Sequence, residues 1–458
     1  MVIIGVEGIY VTDPTSLTAA LTAAGASTQE INDALIGAKA NPTYFEPVFT
    51  VTKARYLQLK ATLYPIPGTV FQATSALAAI TPGLAAHLVG SVGPITAQEL
   101  HELGAPYNAS SVVGQTGLEQ IYENQLAGSP GATITVVGAN GATKATLATI
   151  APKPGKALET RIDPTVQKAA EAALAGQPGY AALVAVRAST GQVLAAVSDP
   201  SSYGFDEALS GTFPPGSTFK TITSTALIDG GLSPASPATC PNSITVDGEV
   251  FHNAEGDAPV NNIIQAFTES CNTAFIGLAT SHLSTSSLPA AAALYDIGKT
   301  PAMGIPAFGG NVPTPTDEAD LAATAIGQGQ VLVSPLDLAM VAAAIDSGTV
   351  REPRLVVGAP DDRAPTRTLG KTLVNDLHEM MASVVENGTA AHEGLPAGTF
   401  AKTGTAQYGT GNPLPTDAWL IGFNGDIAFA ALVVHGGNGG PTDGPIVARF
   451  LDALGTAK

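Results

Sequence analysis

The sequence predicts an α+β fold, and three observations carry that expectation. Helix-like runs fill the middle of the second half of the chain. Strand-like runs joined by hairpin signals gather at both ends of the same half. No internal repeat is present that would favour a solenoid or propeller.

The elements follow in chain order. Residues 14–38 alternate Ala and Leu with small polar residues and predict two short helices. Residues 42–52 predict a strand and 54–64 a short helix, closed by the turn Pro65-Ile66-Pro67-Gly68. In 114–127, Leu118, Ile121, Tyr122 and Leu126 share one stripe, which predicts a helix. Residues 132–150 predict a hairpin turning at Ala139-Asn140-Gly141. The stiff stretch Ala151-Pro152-Lys153-Pro154-Gly155 marks a domain boundary. Beyond it, 158–162 predict a strand, and Asp163-Pro164 caps a helix over 165–175. Residues 180–186 and 192–197 form a second hairpin. A long helix opens near Ser217 and stops at Gly230-Gly231. Helices follow over 261–282, 335–347 and 371–387, then strands over 399–407, 418–423 and 427–434. Asn424-Gly425 joins the last two strands as a hairpin turn, and a helix over 446–454 ends the chain.

Composition narrows the function classes. With 458 residues the chain accommodates two or three domains, and 45% apolar against 13% charged residues places it among globular proteins. A formal net charge of −18 repels a phosphate backbone, so no nucleic-acid partner is expected; the acidity serves solubility. No run of about 18 apolar residues is present to span a membrane. Residues 1–12 lack the basic and apolar regions of a signal peptide. The chain is therefore cytosolic, or its anchor has been removed, and the motifs below favour the second. Cys240 and Cys271 are too few for a structural zinc site; they are a disulfide or two separate buried thiols, and their spacing alone does not decide.

Three short motifs carry chemistry. In Pro214-Pro215-Gly216-Ser217-Thr218-Phe219-Lys220 a serine opens a helix and a lysine follows on the same face. A hydroxyl needs a base to become a nucleophile, and a lysine serves where burial or cationic neighbours lower its pKa. Alone, such a serine is more often a plain N-cap. Ser270-Cys271-Asn272 places poor helix formers in an apolar segment. That is costly unless their polar atoms are used; a bend or cap is the plainer explanation. Lys402-Thr403-Gly404-Thr405 puts a lysine and hydroxyls beside a strand glycine, suited equally to a carboxylate-bearing peptide and to a charged edge that blocks aggregation. His378-Glu379-Met380-Met381-Ala382 lacks the second histidine of a zinc-protease helix, so no metal is expected there. His252 and His435 are candidates to lie near the cleft, although a lone histidine is more often structural.

Together and in this order, the motifs resemble those of the penicillin-recognising serine transferases, with Cys271 where that family has aspartate. Leu88–Pro94, Gly114–Tyr122, Arg161-Ile162-Asp163, Thr190–Ala195, Ile326-Gly327-Gln328-Gly329 and Trp419–Phe423 extend the resemblance to class B, monofunctional penicillin-binding proteins. The branch with the methicillin-resistance protein and actinobacterial penicillin-binding lipoproteins is especially similar. Its members carry an N-terminal anchor and an NTF2-like domain; neither is evident here, so a truncated chain is expected.

The resemblance implies a mainly antiparallel five-stranded sheet packed between helices, with an N-terminal β-rich pedestal. Residues 1–155 would be the pedestal, of dimerisation type, and 156–458 the transpeptidase domain. It implies a peptidoglycan D,D-transpeptidase with Ser217, Lys220, Ser270, Asn272 and Lys402 as catalytic residues. Thr403, Gly404 and Thr405 would bind substrate, and the backbone N–H groups of Ser217 and Thr405 would form the oxyanion hole. Stem peptides and β-lactams would be its ligands, and divisome or elongasome proteins its partners. It would need no cofactor or metal, and would be tethered outside the cell membrane. Rival readings are a β-lactam-hydrolysing enzyme and a non-catalytic structural or sensor protein that binds stem peptide or antibiotic. No segment resembles a glycosyltransferase. In the extracytoplasmic setting the resemblance implies, a disulfide between Cys240 and Cys271 would pin a Pro-rich loop to the middle motif.

Overall fold

The structure is a computed structural model that describes residues 2–51, 53–73, 83–109, 111–138, 143–177, 179–198, 206–254, 259–409 and 414–455. The chain divides into two compact units, Met1–Gly83 and Leu84–Lys458.

In the first unit Val2–Glu7 is the central strand of a three-stranded antiparallel sheet, between Phe45–Val51 and Thr69–Ala73. Val2, Ile4 and Val6 alternate inward onto Leu17, Leu21, Ile31 and Leu63. Those apolar residues come from helices Pro14–Ala24, Thr28–Ala40 and Lys53–Leu63. Asp13 caps the first helix, and Ser27 with Glu30 forms a capping box on the second.

The second unit is built around one antiparallel sheet with strand order Thr399–Gln407, Thr416–Asn424, Ile427–Val433, Ala181–Arg187, Gln192–Ser198. The five-stranded sheet expected from the resemblance is thus borne out. Both of its faces are covered. Ala182, Val184, Val186, Trp419, Ile421, Ala430 and Leu432 pack into a core with helix Pro335–Ser347. The alternate residues Ala181, Leu183, Ala185, Leu420, Ala431 and Val433 pack with helices Pro164–Leu174 and Gly439–Gly455. Two-sided burial explains why these strands read as almost continuous apolar runs. Each Å² of apolar surface that this double packing removes from water stabilises the unit by about 25 cal/mol. Thr399–Gln407 is an edge strand: among the described residues it pairs only with Thr416–Asn424 and leaves its other edge to the motifs.

Four expectations are corrected. Residues 158–162 form no strand; only Thr160 bridges, to Val356. The stretch 114–127 is two short helices, Gly117–Ile121 and Glu123–Leu126, because Tyr122 leaves helical geometry between them. The last helix begins at Gly439, ahead of Pro441 and Pro445. The segment 261–282 is not one helix: Ile263–Thr268 stops, and Asn272–His282 restarts. The hairpin of 132–150 forms, as Ala132–Val137 with Thr143–Ile150, while its turn at Ala139-Asn140-Gly141 lies outside the described residues.

Candidate active site

Gly216–Phe219 is a 3-10 turn that runs directly into the helix Lys220–Asp229. In a 3-10 turn, residues three apart eclipse. Lys220 Nζ accordingly lies 2.9 Å from Ser217 Oγ. Both side chains sit in a buried environment, with Lys220 at 0% exposure and Ser217 at 8%. Trp419 Nε1 donates to Pro214 O at 3.0 Å and anchors this turn to the sheet.

The helix break supplies the second wall. Ser270 adopts φ 56, in the left-handed region, which for a residue with a Cβ costs about 1–3 kcal/mol and persists only where its surroundings impose it. The imposing contacts are lysines. Lys220 Nζ donates to Ser270 O and, at 2.7 Å, to Asn272 Oδ1. Ser270 Oγ lies 3.4 Å from Lys220 Nζ and accepts from Lys402 Nζ at 3.0 Å. The polar atoms of Ser270 and Asn272 are therefore used, as their placement in an apolar segment requires, and Cys271 N-caps the restarted helix through Sγ.

The third wall is the edge strand. Lys402 is fully buried and points at Ser270, while Thr403 Oγ1 shares a hydrogen bond with Thr389 Oγ1. At Gly404 a Cβ would stand 2.7 Å from Thr218 Cγ2 and 2.9 Å from Trp419 Cβ. The glycine is needed so that the nucleophile turn can press against the strand. Thr405 Oγ1 accepts from Gly439 N at 3.4 Å. The structure thus brings Ser217, Lys220, Ser270, Asn272 and Lys402 into one hydrogen-bonded cluster, with Thr403, Gly404 and Thr405 along its rim.

The cluster opens into a cavity of about 420 Å³ lined by Ser217, His252, Asn272, Gln328, Thr405 and Tyr408, among others. A larger cavity of about 550 Å³, around Tyr107, Ser129 and Lys153, holds no such nucleophile–base pair. Several contributors carry no motif signal. Asn253 accepts from Thr273 N at 3.1 Å, and Asn272 Nδ2 donates to His252 O. Tyr408 Oη is 2.8 Å from His435 Nδ1, and His435 N donates to Asp417 Oδ1. Burial raises Asp417 to about 6; burial and the Asp417 charge push Tyr408 up to about 12. Only His252 and His435 were visible in the sequence, as histidines without partners. Among the described residues no group of three or more His, Cys, Asp or Glu is placed to hold a metal.

Cys240 and Cys271 are joined by a disulfide. It ties the Pro-rich loop, and the hairpin Ser243–Val246/Glu249–His252 that follows it, to the middle motif. Thiol titration of denatured, unreduced protein should find no free thiol. Reduction should cost about 3–4 kcal/mol of stability in the chain-entropy model; two titratable thiols per chain would contradict the bond.

Comparison with known proteins gives two family matches: the penicillin binding protein transpeptidase domain over residues 181–452 and the penicillin-binding protein dimerisation domain over 11–160. The peptidoglycan D,D-transpeptidase PbpA of Mycolicibacterium smegmatis is 32% identical over 309 residues, 56% of this chain and 62% of that protein. PbpA of Mycobacterium tuberculosis is 31% identical over 330 residues, 59% of this chain and 66% of that protein. The chain therefore spans just under two thirds of the curated relatives it matches. The penicillin G acyl-enzyme structure of penicillin-binding protein A from M. tuberculosis superposes with TM-score 0.59 at 27% identity, over 66% of this chain and 82% of that one. PBP2 of Helicobacter pylori, solved with MreC, shares the fold at TM-score 0.76 and 22% identity, covering 100% of this chain and 95% of that one.

Proposed function

The chain belongs to the penicillin-binding protein transpeptidase family, and from that premise we propose that it is a peptidoglycan D,D-transpeptidase acting through an acyl-enzyme on Ser217. The observation that supports this most is the buried Ser217–Lys220 contact at 2.9 Å, with the amine fixed by Ser270 and Asn272. Ser217 Oγ attacks the penultimate D-Ala carbonyl of a stem peptide, and Lys220 takes the serine proton. Two ammonium charges in one buried pocket with Lys402 are unfavourable, which favours a neutral Lys220 before attack. The developing oxyanion is held by the N–H groups of Ser217 and Thr405. The C–N bond breaks, and the proton passes by way of Ser270, which touches both lysines, to the departing D-Ala nitrogen. Asn272 holds the substrate amide, and Lys402, Thr403, Gly404 and Thr405 form the seat for its terminal carboxylate. An amine from a second stem then attacks the ester, gives up a proton to the base, and restores Ser217. No step calls on a metal or cofactor. β-Lactams acylate the same oxygen.

Residues 1–155 are assigned to the non-catalytic, dimerisation-type region and 156–458 to the transpeptidase domain, a division that the two family matches support. The Cys240–Cys271 bond suits an oxidising, extracytoplasmic site, with the chain tethered to the outer face of the membrane. No helix among the described residues is long and apolar enough to cross a membrane. The divisome or elongasome proteins named as partners above remain part of this proposal. A depsipeptide donor ending in D-Ala-D-lactate, offered with a D-amino acid, should give the amide as the main product. A penicilloyl adduct should persist for many minutes. Clearance of that adduct within seconds would make the protein a β-lactamase, and acylation without any amide would make it a binding or sensory member.

A further inference from the structure

The edge strand is not open along its whole length. Backbone N–H and C=O groups of one strand residue point the same way, and residues two apart share that direction. Thr403, Thr405 and Gln407 therefore present their backbone groups to the same side, toward the cleft. At Gln407 these groups are taken. With its amide oxygen and nitrogen assigned by the partners they face, the Gln328 side chain donates to Gln407 O at 2.9 Å and accepts from Gln407 N at 3.2 Å. One side-chain amide thus makes the two hydrogen bonds that a residue of an added strand would make.

Gln328 is held in that position by its own turn. Gly216 N donates to Gly327 O at 3.0 Å, next to the nucleophile. Gly327 has φ 72, and a Cβ there would stand 2.1 Å from Gly216 O, so only glycine permits the turn to lie against the Ser217 segment. Gln328 and Gln407 both line the cavity that contains Ser217 and Thr405.

We propose that Gln328 is a specificity-determining residue that closes the peptide-binding edge at Gln407 and so limits how far an acyl donor pairs with strand Thr399–Gln407. The inference rests on the transpeptidase reading above: with the donor's carboxylate at Lys402 and its scissile carbonyl at Thr405, the rest of the stem runs toward Gln407. A donor chain that ends near its first side-chain amide fits beside Thr405 without meeting Gln328. A chain that continues through a second amide must displace Gln328 or turn away from the strand. The enzyme thereby discriminates by backbone length rather than by side-chain chemistry.

The test uses two penicillins with one nucleus, the first carrying an acetyl side chain and the second a chain continued through a further amide. Second-order acylation constants are measured for the wild type, Gln328→Ala and Gln328→Asn; the asparagine is one methylene too short to reach both groups. Acylation by the acetyl penicillin should stay within about twofold in all three proteins, which also shows that the site is folded. Acylation by the extended penicillin should rise about tenfold in both variants, the scale of two modest hydrogen bonds recovered. An unchanged ratio between the two penicillins, or equal loss with both, would overturn the proposal and leave Gln328 as a prop for the strand. A wild type that neither penicillin acylates would instead sink the transpeptidase reading itself.

Discussion

Lys220→Ala is expected to slow acylation by a penicillin about 10²–10⁴-fold, the range for loss of a positioned general base, while initial binding weakens far less. The asymmetry follows from geometry. Lys220 touches the nucleophile and the middle motif, whereas the carboxylate seat is assigned to Lys402, Thr403 and Thr405 on a different element. Rapid-mixing measurement over a range of penicillin concentrations separates the binding constant from the acylation rate constant. The fold should survive, because the vacated space adjoins a cavity that water can enter. An acylation rate constant equal to wild type would remove Lys220 from the proton path. Loss confined to binding would reassign it to substrate capture.

The largest expected effect on stability is at Trp419. Its ring is fully buried, packs edge-on against Phe213, and sits behind Gly404 while its Nε1 holds Pro214. Trp419→Ala should cost about 3–5 kcal/mol in urea unfolding, since the cavity left in a two-sided core does not collapse fully. Trp419→Phe keeps most of the packing, removes the bond to Pro214 and leaves a smaller cavity. It should cost about 1–3 kcal/mol and slow acylation by loosening the nucleophile turn. A Trp419→Ala variant as stable as wild type would contradict the assigned packing.

Much of the sheet was legible because its strands are buried on both faces and bounded by strong turns, as at Asn424-Gly425. Helix 371–387 was legible from its apolar periodicity, with Leu373, Leu377, Met380, Met381 and Val384 on its buried face. Helix 335–347 is instead a nearly continuous apolar run, buried all round and opened by a Ser334–Asp337 capping box. The central strand Val2–Glu7 was missed because its short apolar run was weighed only as a leader segment. The break at Ser270 was missed for a physical reason. Apolar residues on both sides, Phe267 and Phe275 among them, keep helical spacing, and what interrupts the helix is a pair of lysines 50 and 132 residues away in sequence. Local propensity carries no record of such contacts. The motif residues themselves were legible as types. That Gln328 reaches Gln407, or that Tyr408, His435 and Asp417 meet at the cavity rim, depends on loops whose paths no periodicity encodes.

The central claim is that Ser217, activated by Lys220, is the acylated residue. Intact-mass measurement after incubation with a penicillin tests it most directly. The wild type should gain the mass of one penicillin, and Ser217→Ala should gain none while unfolding at the wild-type denaturant concentration. An adduct on Ser217→Ala, or a wild type that stays unmodified, would contradict the account.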